Sequence, residues 1–129
     1  MKLSKKPRIV YIVDPSYGAP YPYAFAGLAN TMEKMGLEIS CLNPATAILE
    51  SFRQEIEEFK PELIFGFIQH PLQIKKIAGF LDEYHPVAAI NWYDEDPNCV
   101  VGNHSEIDII ELTSSFDMWF GIDAKMVPF

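Results

Sequence analysis

Four stretches of this chain are continuous apolar runs, the third broken only by Asn91: Ile9 to Val13, Leu63 to Ile68, Val87 to Trp92 and Met118 to Ile122. Such runs, as opposed to alternating ones, mark strands covered on both faces of a parallel sheet. Leu37 to Leu42 alternates, with Leu37, Ile39 and Cys41 set against Glu38, Ser40 and Leu42, as a strand near a sheet edge does. Between the strands, apolar residues recur at helical spacing. Phe25, Leu28, Ala29, Met32 and Met35 share one face, as do Ile48, Phe52, Ile56 and Phe59, and then Ile74, Ile77, Ala78 and Leu81. Pro22, Pro44 and Pro71 suit first-turn positions, Asn43 is placed to cap the second helix, and Gly36 to close the first in a left-handed conformation.

Strand and helix alternate, so the pattern predicts an α/β fold: a doubly wound, five-stranded parallel Rossmann-like sheet in a three-layer αβα arrangement. Right-handed crossovers favour the order 3-2-1-4-5, with the topological switch point between the first and fourth strands. The 129 residues read as a single domain, 1–129, large enough to bury a core. No repeat or low-complexity tract interrupts it.

Charge narrows the partners. Ten Lys and Arg against 18 Asp and Glu give a formal charge of −8, which repels phosphate backbones and anionic lipid surfaces and argues against nucleic acid. No apolar run reaches the roughly 18 residues of a membrane span, and the start lacks a secretory pattern, so the expected location is the cytoplasm. Cys41 and Cys99 have neither metal-ligand spacing nor a disulfide framework, and read as incidental thiols.

Candidate chemistry lies where strands end at the carboxyl rim. The fourth strand runs into Tyr93-Asp94-Glu95-Asp96-Pro97, and Asp94, Glu95 and Asp96 are the candidate catalytic carboxylates. Neighbouring like charges raise one pKa of such a set toward that of a general base. About a dozen residues separate Tyr93 from the next helical start at Ser105, a length typical of binding loops. The loop after the first strand, Asp14-Pro15-Ser16-Tyr17-Gly18-Ala19-Pro20-Tyr21, offers Asp14, Tyr17, Gly18 and Tyr21 as substrate-binding candidates, its tyrosines suited to stacking on a sugar face. Gln69, His70, Tyr93 and Asp123 end the neighbouring strands and complete the candidate rim. One glycine stands where a dinucleotide fingerprint needs three, and there is no P-loop pair. Asp94-Glu95-Asp96 spells the Asp-x-Asp pattern that can hold a divalent cation and a nucleotide phosphate, but carboxylates at neighbouring positions rarely all converge and no histidine lies within three residues. Neither a cofactor nor a tight divalent metal site is predicted.

Several segments resemble the amino-terminal domain of the CgeB-like spore-maturation glycosyltransferases, a two-domain GT-B-type family. They are Phe25-Ala26-Gly27-Leu28-Ala29-Asn30-Thr31-Met32 after the aromatic loop, Phe59-Lys60-Pro61-Glu62-Leu63-Ile64-Phe65, Asn91-Trp92-Tyr93-Asp94-Glu95-Asp96-Pro97, and Phe116-Asp117-Met118-Trp119-Phe120-Gly121-Ile122-Asp123 with Val127-Pro128. The resemblance implies the acceptor-side domain of an enzyme using a nucleotide-sugar donor and an acceptor, inactive alone. Its partner would be a carboxy-terminal nucleotide-binding domain missing here, or a second copy through self-association. The competing reading is a non-enzymatic flavodoxin-like or receiver-like binding module. A receiver needs an acidic pair after the first strand and an Asp after the third, where this chain has Asp14 alone and Gln69. The Asp-x-His-x-x-Gly loop of a cobalamin module does not occur.

Overall fold

The computed structural model describes residues 6–16, 21–93 and 112–121. The elements are β1 (Arg8–Ile12), α1 (Tyr21–Lys34), β2 (Glu38–Leu42), α2 (Leu49–Phe59), β3 (Leu63–Gly66), α3 (Pro71–Glu83), β4 (Ala88–Tyr93), a short 3₁₀ turn at Thr113–Ser115, and β5 (Met118–Gly121). All five strands pair in parallel in one sheet. The expected α/β class, a parallel Rossmann-like sheet with helices on both faces, is the one found.

The order is β2-β1-β3-β4-β5, which corrects the predicted 3-2-1-4-5. Both orders obey the right-handed crossover rule, so handedness alone does not choose between them. Burial does. β3 is apolar throughout and sits at the centre, between β1 and β4, whereas half-polar β2 takes the edge with none of its residues buried. The switch point consequently lies between β1 and β3, and β4 is one strand removed from it.

Side-chain alternation along the strands sorts the core into two layers. Val10, Ile12, Ile64 and Ala89 pack with Phe52 and Ile56 of α2 and with Ile74, Ile77, Ala78 and Leu81 of α3. Ile9, Tyr11 and Val13 pack on the opposite face with Phe25 and Met32 of α1 and with Phe67. The α1 layer covers β1 and β3, but Trp92, Met118 and Phe120 on its side of β4 and β5 are 42%, 52% and 46% exposed. No described helix covers that strip.

Helix ends follow local chemistry. Pro71 starts α3, where its missing N–H costs nothing, and His70 Nδ1 caps it by accepting the Leu72 N–H at 3.1 Å. Gly36, at φ 92°, closes α1 as predicted. Asn43 does not cap α2. Its Oδ1 accepts the Ala45 N–H within the preceding turn, and α2 begins later, with Ser51 Oγ accepting the Ile48 N–H at 3.0 Å. Ile48 and Met35, placed by periodicity on buried faces, lie just outside their helices and are exposed.

Candidate functional site

The loops leaving β1 and β3 meet at the switch point, and a connected polar set joins them. Asp14, two residues past β1, is 7% exposed. Its Oδ1 accepts the Ser16 N–H at 2.9 Å and the Ser16 hydroxyl at 2.7 Å, while Oδ2 accepts from Gln73 Nε2 of α3 at 2.8 Å. Burial by itself pushes the Asp14 carboxyl up, but the Ser16 and Gln73 hydrogen bonds, with the charge of His70, outweigh it and hold the group below its ordinary value. Asp14 is therefore an anion fixed at the rim.

Beside it, Gln69 is buried and its Nε2 donates to the Trp92 carbonyl at 2.8 Å, tying the β3 exit to the end of β4. Asn91 reinforces that tie. Its Oδ1 accepts the Ile68 N–H at 3.0 Å and its Nδ2 donates to the Ile68 carbonyl at 3.3 Å, so a fully buried amide replaces the ladder that β3 leaves after Gly66. A Cβ on Gly66 would lie 2.5 Å from Asn91 Oδ1, closer than such atoms approach, which explains the glycine in a central strand.

Next to this polar set, on the α1 face, an open apolar groove of about 410 Å³ is lined by Ala24, Gly27, Leu28, Thr31, Phe67 and Trp92. Gly27 leaves its wall unfilled, because a Cβ there meets nothing within 4 Å. The Phe67 and Trp92 rings lie 5.8 Å apart at 34°.

Among the sequence candidates, Asp14, Gln69 and His70 come together at the switch point. Tyr93 points into the opposite layer, 1% exposed, with its ring 5.5 Å from that of Trp119. Tyr21 opens α1. Tyr17, Gly18, Asp94, Glu95, Asp96 and Asp123 lie outside the described residues. The expected meeting of the Tyr17 and Asp94 loops at one switch point loses its topological basis, because β3 separates β1 from β4. Sequence reading missed Ser16, Gln73 and Asn91. Gln73 carries no local signal, since its partner Asp14 lies 59 residues away in sequence.

At the other end of the sheet, His85 Nε2 and Asp117 Oδ2 lie 2.8 Å apart beside a cavity of about 390 Å³ bounded by Pro86, Val87 and Ala88. Cys41 carries a free, exposed thiol. Among the described residues there is no group of three or more His, Cys, Asp or Glu side chains that could hold a metal ion, and no helix long and apolar enough to cross a membrane.

No family model matches the sequence, and no curated protein matches it. Among solved structures, the chain is similar to a novel cobalamin-binding protein from Desulfitobacterium hafniense DCB-2, with a TM-score of 0.60 at 13% sequence identity. The match covers 89% of this chain and 53% of that one, so the chain spans about half the length of this neighbour. At that identity the likeness establishes a shared Rossmann-like fold.

Proposed function

We propose that this chain is a non-enzymatic, flavodoxin-like binding module whose ligand sits at the β1/β3 switch point. The observation that carries this reading is the convergence of Asp14, Gln69, His70 and Gln73 on the rim where open α/β sheets take their ligands. The described set holds a carboxylate, two carboxamides and an imidazole used as a helix cap, which suits hydrogen-bonded recognition. The Ser16 hydroxyl is held as a donor to Asp14 Oδ1 at 2.7 Å and serves to fix that carboxylate. The apolar groove beside it, floored by Trp92 and Phe67, gives a ligand with a flat apolar portion a place to lie.

The cobalamin-binding neighbour nominates a corrinoid as the first ligand to test. A corrinoid combines a broad apolar macrocycle with peripheral carboxamides, the chemistry that a groove next to an amide-bearing rim complements. Aquacobalamin added to the purified chain should remain bound through gel filtration and quench Trp92 emission. Gly27→Leu, whose Cβ meets nothing within 4 Å and whose branched end enters the groove, should abolish both effects while leaving the fold intact. Free elution of aquacobalamin, with tryptophan emission unchanged, refutes the corrinoid assignment.

The second reading is the acceptor-side domain of a CgeB-like glycosyltransferase. It is favoured by the exposed strip Trp92, Met118 and Phe120, since apolar sheet surface left uncovered suits a chain that packs against further protein. Supplying a nucleotide-binding domain of that family in trans and assaying transfer from nucleotide sugars tests it. Sugar transfer dependent on both chains would replace the binding-module reading.

A further inference from the structure

The first turn of α3 lies at the switch point, where a helix of this length normally offers free N–H groups to a ligand phosphate. Here those donors are used internally. Pro71 has no N–H, the Leu72 N–H is taken by His70 Nδ1 at 3.1 Å, and the Gln73 and Ile74 N–H groups both donate to the His70 carbonyl at 3.0 Å. The position a phosphate would take near that turn is flanked by the chain's own anion, because the Gln73 side chain draws the Asp14 carboxylate to it at 2.8 Å. One turn further along α3, Lys76 Nζ is committed to the Pro44 and Ala45 carbonyls at 2.8 and 3.2 Å.

We infer that Asp14, held against the first turn of α3 by Gln73, makes the switch point reject phosphate, so that a ligand bound there presents uncharged hydrogen-bonding groups to it. This rests on the reading that the switch point is the ligand site, and it names the class of group recognised: a carboxamide or a hydroxyl in place of a phosphoryl group. Asp14 is the specificity-determining residue, and Gln73 positions it.

Titration of the intact chain with inorganic phosphate, followed by ³¹P NMR at low ionic strength, reads this directly. Phosphate should bind Asp14→Asn roughly tenfold or more tightly than wild type, the order expected for removing one nearby unit charge at an effective dielectric of about 20. Asp14→Ser, which removes the charge while keeping a hydroxyl within reach of Gln73, should shift affinity in the same direction and decides the matter if Asp14→Asn does not fold. A riboflavin and flavin mononucleotide pair, differing by one phosphate, gives a second readout: wild type should discriminate against the phosphorylated member and the charge-removing Asp14 variants should not. Equal phosphate affinity in wild type and in every folded variant, or wild-type preference for flavin mononucleotide, overturns the inference. Failure of aquacobalamin to bind removes only the corrinoid assignment, since the phosphate comparison does not depend on it.

Discussion

Asp117 grips Ala89 from both sides: its N–H donates to the Ala89 carbonyl at 2.8 Å, and its Oδ2 accepts the Ala89 N–H at 2.7 Å. The same oxygen lies 2.8 Å from His85 Nε2. A single carboxylate thereby sets the register with which β5 joins β4, at the end of the sheet remote from the switch point. Asp117→Ala frees the Ala89 N–H and removes a charge-assisted hydrogen bond. Chemical denaturation should show a loss of about 1–2 kcal/mol, with Trp119 emission changing because β5 carries it.

Acid should weaken the fold through two carboxylates. The Ala89 N–H above all, with His85, holds the Asp117 carboxyl below its ordinary value. Burial pushes Asp14 the other way, but its Ser16 and Gln73 contacts prevail and leave it depressed as well. Because both folded values are depressed, their stabilisation is complete above the unfolded value of about 3.9 and disappears as pH falls through the folded values. The melting temperature should drop as pH is lowered from about 5 to about 3, and the Asp14→Asn, Asp117→Asn double variant should show a flatter profile. An unchanged slope in that variant would assign the acid sensitivity to other carboxylates.

Gly66→Ala places a methyl group on Asn91 Oδ1 and on the Ile68 side chain. The cost should be about 1–3 kcal/mol, as for overpacking elsewhere. Asn91→Ala alone strands the Ile68 N–H and carbonyl, with a cost of similar size. Combining the two should cost less than their sum, because the clash needs both side chains. A double-mutant cycle giving strict additivity refutes the contact.

Phe52 is fully buried between α2 and α3, with ring contacts to Phe80 at 5.4 Å and Tyr84 at 6.5 Å. Phe52→Ala should lower unfolding free energy by about 3–5 kcal/mol. Tyr23→Ala, at an 83% exposed position of α1, serves as the control and should stay within about 0.5 kcal/mol of wild type.

Strand and helix positions were legible because dense apolar runs and 3.6-residue spacing leave little choice of element. Strand order is subtler, although its signal is present in the same residues. The run Leu63 to Ile68 is too apolar for the edge position that 3-2-1-4-5 assigns it, whereas Leu37 to Leu42 is polar enough to be one. Weighing those two segments against each other moves the switch point to β3 and brings Gln69 and His70 forward. The Asp14–Gln73 pairing spans 59 residues and depends on where α3 starts relative to β1, a three-dimensional relation that no local pattern encodes.

The closeness of Gly66 to Asn91 also constrains how such a chain can change over generations. Position 66 accepts no side chain while residue 91 keeps its length, and residue 91 cannot shorten without stranding the Ile68 backbone. Each single step passes through a weakened protein. The two positions should therefore change only together, since a departure from either calls for a new brace at the exit of β3.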